Sequence, residues 1–128
     1  MRLEDLVSEW TQRGDADLAA AIFLRSMRPQ PLEIIAFHCQ QTVEKYLKAY
    51  LVSKGEEPDK THDIGILIRR AEGFDPEFAS LSSSCVALTD YAVKVRYPGA
   101  SVIDEKTVAQ AIAIADEAIA FVKTRLRT

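Results

Sequence analysis

Absences set the first bounds on this 128-residue chain. No apolar run approaches the roughly 20 residues a membrane-spanning helix needs, which argues against a membrane protein. The opening Met1-Arg2-Leu3-Glu4-Asp5 is too acidic for a secretory leader, so a cytoplasmic location is expected. There are only two cysteines. Cys39 and Cys85 both fall on apolar faces of predicted helices, and in a reducing compartment that pattern reads as buried thiols rather than a disulfide. Two histidines complete a meagre set of soft ligands, without the close spacing of a zinc site, so no metal is expected. No glycine-rich phosphate loop and no carboxylate pair at diagnostic spacing occurs. No cofactor is therefore expected and no catalytic residue is assigned. The net charge of -3 disfavours broad, nonspecific nucleic-acid binding while leaving room for a local basic patch.

What is present is helical periodicity. With 48% apolar and 27% charged residues, residues 1–128 have the balance and size of one globular domain that can bury a core unaided. The pattern predicts five helices, no strand and no internal repeat. The first spans about Leu3 to Met27, with Leu6, Trp10, Leu18, Ala21, Ile22 and Leu24 apolar. Gly14 falls inside it as a point where it could kink or divide. Arg28-Pro29-Gln30-Pro31 ends it, because each proline disfavours helix in the residue before it. The second runs from about Pro31 to Ser53, stopped by Gly55 in a C-terminal capping position.

Thr61 reads as the N-cap of a short third helix reaching Arg70 or Ala71, with Asp63 in its first turn. Asp75 and Pro76 restart the pattern as N-cap and first helical residue. Phe78, Leu81, Cys85, Leu88, Ala92 and Val95 then follow at helical spacing to Pro98-Gly99. Asp104 caps a fifth helix with two apolar stripes: Val108, Ile112, Ala115, Ile119, Val122 and Leu126, then Ile114, Ala118 and Phe121. Short loops between long amphipathic helices predict an all-α, up-and-down antiparallel bundle of four long helices plus a short one. The second stripe of the fifth helix is a surplus that a second copy of the chain would cover.

The second helix carries the unusual chemistry. Ile35, Cys39, Val43, Tyr46 and Tyr50 fall on one stripe, and His38, Gln41, Glu44, Lys45 and Lys48 on another. Helix chemistry alone leaves the polar stripe open between a solvated face, with Glu44 and Lys48 as an i,i+4 pair, and a polar groove or dimer surface. His62 stands at a helix start, where backbone donors and the dipole favour an anion, or else joins the cap made by Thr61 and Asp63. Arg96, at the end of the fourth helical pattern, suits either an anion contact or a bridge to Asp90 or Asp104.

Taken in order, these fragments resemble the HEPN family (higher eukaryotes and prokaryotes nucleotide-binding domain). The matching pieces are Trp10 with Asp17-Leu18, then Phe37-His38-Cys39-Gln40-Gln41 with Glu44-Lys45 and Leu47-Lys48, then Thr61-His62-Asp63 and Arg96-Tyr97-Pro98. The resemblance implies a helical bundle that dimerises and binds a nucleotide or RNA. It also implies a small nucleotidyltransferase partner, the two forming a two-component, toxin–antitoxin-like system. On the leading reading, a nucleotide- or RNA-binding protein, Gln41, Lys45, Lys48, His62 and Arg96 are expected to surround one polar groove. Other members of the wider superfamily are metal-independent ribonucleases that use an arginine followed four to six residues later by a histidine. Here no arginine precedes His38 or His62 at that interval, and no histidine follows Arg96. A ribonuclease using Arg96 and His62 is therefore the alternative reading, and a non-catalytic dimeric interaction module a third.

Overall fold

The computed structural model describes residues 2–57, 60–94 and 103–126, with residues 91–94 described as backbone. Five α-helices follow one another: α1 Leu3–Leu24, α2 Leu32–Ser53, α3 Ile64–Glu72, α4 Ser82–Lys94 and α5 Glu105–Leu126. A 3-10 helix, Pro76–Leu81, leads into α4. Among the described residues there is no strand, so the all-α bundle expected from the periodicity is what forms.

Each boundary has a local cause. Helix α2 ends in a paired cap: Gly55 N–H donates to the Val52 carbonyl at 2.9 Å and Glu56 N–H to the Leu51 carbonyl at 3.1 Å. That geometry needs a positive φ, which Gly55 supplies at 88°. Asp75 caps the 3-10 helix by accepting from Glu77 N–H at 3.0 Å. Asp104 caps α5 by accepting from Thr107 N–H at 2.8 Å.

Four details depart from the sequence reading. Helix α1 stops at Leu24 rather than Met27, and 3-10-type bonds tighten residues 25–27 behind it. The α3 cap is Asp63, whose carboxylate accepts from Ile66 N–H at 3.2 Å. Thr61 sits outside it, its hydroxyl accepting from Asp63 N–H at 3.1 Å. The segment after Pro76 winds first as a 3-10 helix and becomes α-helical only at Ser82. Ile22, counted with the apolar side of α1, is 54% exposed.

Helix α2 is the axle of the bundle. Thirteen of its residues are buried, because α1, α3, α4 and α5 all pack around it. Cys39, Val43, Tyr46, Leu47 and Tyr50 form the centre of the core with Leu67, Leu88, Val108 and Ala115. Phe78 ties one end together: its ring lies 4.4 Å from that of Tyr50 and 5.0 Å, edge-on, from that of Phe121. This contact bears on the surplus stripe of α5: Ala118 is buried, and Ile114 and Phe121, partly buried, pack against the chain's own core, so the chain itself covers much of that stripe.

Candidate functional site: a polar seam between the first two helices

A central helix with two kinds of face must put its polar residues against something. Helix α1 packs on α2 with Trp10, Gly14 and Asp17 turned towards it, and at Gly14 the contact is close. Its carbonyl accepts from the Thr42 hydroxyl at 3.1 Å, and the Tyr46 ring lies where a Cβ would stand. The two helices can therefore run near enough for short polar side chains to bridge them.

The first bridge centres on Asp17. One carboxylate oxygen meets His38 Nδ1 at 2.8 Å and the other meets Lys45 Nζ at 2.5 Å. His38 and Lys45 are seven residues apart, two helical turns, and so share a face of α2. Gln41 lies between them, half-buried. The side chains of Asp17, His38 and Lys45 are 12%, 27% and 23% exposed, which places this cluster at the edge of the seam rather than inside it.

The second bridge is deeper. Glu44 and Lys48 have side chains only 4% and 5% exposed, with Lys48 Nζ 3.3 Å from Glu44 Oε2. The same ammonium stands 5.6 Å from the centre of the Trp10 ring, a cation–π distance. Burying one charge alone is very costly, so these two stand or fall together. His62 completes the group from the start of α3, its Nδ1 3.1 Å from both carboxylate oxygens of Glu44, while its side chain is 77% exposed. On the far side of Gly14, the Tyr46 hydroxyl donates to Asp15 Oδ1 at 2.5 Å. Burial, then that carboxylate, push the phenol well above its ordinary range.

The seam thus gathers four of the five residues singled out in the sequence along α2 and the start of α3, in two arrangements. Lys45 and Gln41 are at the rim. Lys48 is enclosed, its ammonium committed to Glu44. His62 is at the surface, but its ring is anchored to a carboxylate. One backbone donor at the α3 N-terminus, Ile66 N–H, is taken by the Asp63 carboxylate. Arg96 lies outside the described residues. Asp15, Asp17 and Trp10 on α1, and Glu44 on α2, are site residues beyond the five that the sequence points to. The i,i+4 spacing of Glu44 and Lys48 was visible in the sequence; the cross-helix partners had no local signal.

Chemically the seam offers ammonium and imidazole donors and a carboxamide along one edge. It holds no metal constellation: no group of three or more His, Cys, Asp or Glu side chains among the described residues could bind an ion. Both thiols are free and buried, burial pushing Cys39 up to about 12 and Cys85 up to about 11. Two hollows, one lined by Leu51, Glu56, Glu57, Arg70, Gly73 and Phe74 and one by Leu3, Glu4, Val7, Ser53, Lys54, Arg125 and Leu126, share no residue with the seam.

The family model described as HEPN domain matches residues 7–125. In three dimensions the chain is similar to the crystal structure of an archaeal HEPN homologue, with a TM-score of 0.72 and 23% sequence identity. That similarity covers 94% of this chain and 97% of the other, and at such identity it speaks to the fold. No curated protein matches the chain.

Proposed function

The chain belongs to the HEPN domain family, and from that premise we propose that it binds a nucleotide or RNA along the α1–α2 seam. The observation carrying this reading is the rim of that seam. His38, Gln41 and Lys45 share one face of α2, partly exposed and floored by the nearly buried Asp17. An ammonium has three donors. Lys45 gives one to Asp17 and keeps others for a phosphate, while Asp17 holds the side chain in place. Lys48 acts differently, fixing Glu44 and through it the position of His62. Arg96 supplies the planar, two-pronged phosphate contact that a lysine cannot reproduce.

The family premise also supports a small nucleotidyltransferase as partner, in a two-component, toxin–antitoxin-like arrangement, and a homodimer as the working unit. The α5 stripe no longer argues for the dimer. Ile22, Phe23, Met27, Ile34 and Phe37 now do, because five of the exposed large apolar side chains fall on the end of α1, the start of α2 and the turn joining them. Catalysis is not part of the reading.

Fluorescence anisotropy with a labelled single-stranded RNA, repeated across a salt series, tests the binding. Each phosphate contact contributes a slope of about -0.7 in log affinity against log salt for a single strand. Lys45→Ala should weaken binding several-fold and flatten the slope by about that amount. Undiminished binding by Lys45→Ala, with an unchanged slope, would contradict the placement. Mixing the chain with its candidate nucleotidyltransferase and sedimenting the mixture tests the partnership, which fails if the two travel separately.

A further inference from the structure

Phe37, Gln41 and Lys45 form one ridge of α2, each four positions and about 6 Å of helix rise from the next. The chemistry changes along it, from an aromatic ring to a carboxamide to an ammonium. Phe37 is 38% exposed, a large apolar side chain left facing water. Its ring is oriented by His38, with centroids 6.0 Å apart and planes at 68°. His38 is in turn held by Asp17 at 2.8 Å. The half-buried Gln41 carboxamide has no hydrogen-bond partner among the described residues. Lys45 gives one of its donors to Asp17. An interface between two apolar surfaces would account for Phe37. It would not account for the amide and the ammonium in line with it.

We propose that this ridge holds an unpaired nucleobase, the base stacking on the Phe37 ring and its edge bonding the Gln41 carboxamide. Lys45 then meets a neighbouring phosphate. This rests on the nucleotide or RNA reading above and deepens it, by naming the part of the ligand that each side chain takes. Every base has a π-face, so an aromatic platform suits any sequence. A carboxamide sets two donors beside an acceptor. Base edges offer the complementary pairing, as when glutamine meets N6 and N7 of adenine. In a duplex the faces of the bases are already stacked on one another, so the ridge selects single strands. A free mononucleotide carries the same base and phosphate, and the two sources share one chemistry.

The test is anisotropy with a labelled single-stranded RNA and with its duplex at one salt concentration, and competition of the labelled strand by AMP. Wild type should bind the single strand more tightly. Displacement by AMP at concentrations comparable with the RNA's identifies a free nucleotide, and RNA binding that resists AMP identifies a strand. Phe37→Leu keeps apolar bulk for any contact between copies but removes the aromatic face. It should weaken single-strand binding by about five-fold or more, the loss of one base–aromatic stack. The salt slope and the sedimented mass should not change. Phe37→Trp should bind at least as well as wild type. Its added indole should be quenched by RNA beyond any change at Trp10, the chain's single native tryptophan. Gln41→Met, of similar length but without the amide, should weaken binding several-fold, the range of one net hydrogen bond. It should also narrow the spread of affinities among oligo(A), oligo(C) and oligo(U).

Wild-type affinity in Phe37→Leu, with Lys45→Ala still weakened, would overturn the base contact while leaving phosphate binding standing. Tighter binding of the duplex by wild type would overturn it as well. So would a loss in Phe37→Leu that follows a loss of the dimer, which would assign the ring to an interface. Unchanged affinity and spread in Gln41→Met would strike the edge contact. Failure of every probe to bind, even at low salt, would remove the binding function and this inference with it.

Discussion

A Cβ placed on Gly14 would lie 2.7 Å from Tyr46 Cδ2 and 2.9 Å from Cε2. Gly14 is thus the contact that lets α1 and α2 close on each other, and α1 runs through it without a break. Alanine is the better helix former by roughly 1 kcal/mol. Against that, the Tyr46 ring is buried and its hydroxyl is tied to Asp15, so it has little room to yield. Overpacking a tight core contact costs about 1–3 kcal/mol. Gly14→Ala should therefore destabilise the fold in urea titration, whereas Ala19→Gly, at an exposed site on the same helix, should cost only the propensity difference.

The buried Glu44–Lys48 pair leads to a second expectation. Glu44→Ala strands the Lys48 ammonium, and breaking such a pair from one side costs about 3–5 kcal/mol. The double variant Glu44→Leu with Lys48→Met removes both charges and fills similar volume, and should recover most of that loss. A double-mutant cycle on denaturation midpoints measures it. Additive losses would mean that the two side chains do not support each other.

Alkaline pH gives a third. Cys39 and Cys85 are held protonated by burial, and the Tyr46 phenol is raised as well. These groups keep their protons in the folded chain at a pH where the unfolded chain has lost them. Their contribution to stability is full below the unfolded values, about 8.5 for a thiol and 10 for a phenol, and is lost as pH rises beyond them. Unfolding free energy should fall between pH 8 and 10.5, and neither thiol should react with a disulfide reagent at pH 8 in the native state.

The exposed apolar residues near the α1–α2 turn give a fourth. Sedimentation at micromolar concentration should return twice the chain mass. Phe23→Ser, at a side chain 72% exposed, should shift the equilibrium towards monomer without changing the helical signal. A wild-type monomer at every concentration would leave that patch to another occupant.

Much of this was legible in the sequence, and the misses share a cause. The helices, the stop at Gly55 and the caps at Asp75 and Asp104 all follow from chemistry within a few residues. The polar stripe of α2 was legible as a stripe. What lies against it was not, because Asp17 meets Lys45 across 28 positions and Glu44 meets His62 across 18. Gly14 was visible as a helix weakener, since that is local; its role as a contact depends on Tyr46. The surplus stripe of α5 was real as a pattern, but Phe78, on a separate element, covers its Phe121.

The most direct measurement of the central claim is affinity for a labelled single-stranded RNA at low and at physiological salt, for wild type, Lys45→Ala and Arg96→Ala. Wild-type binding should fall steeply with salt. Arg96→Ala should lose about 1.5–3 kcal/mol of affinity, the worth of a hydrogen bond to a charged group, with the fold intact by circular dichroism. Lys45→Ala should flatten the salt dependence. Salt-independent binding, or variants that lose stability while keeping wild-type affinity, would contradict a phosphate-binding seam.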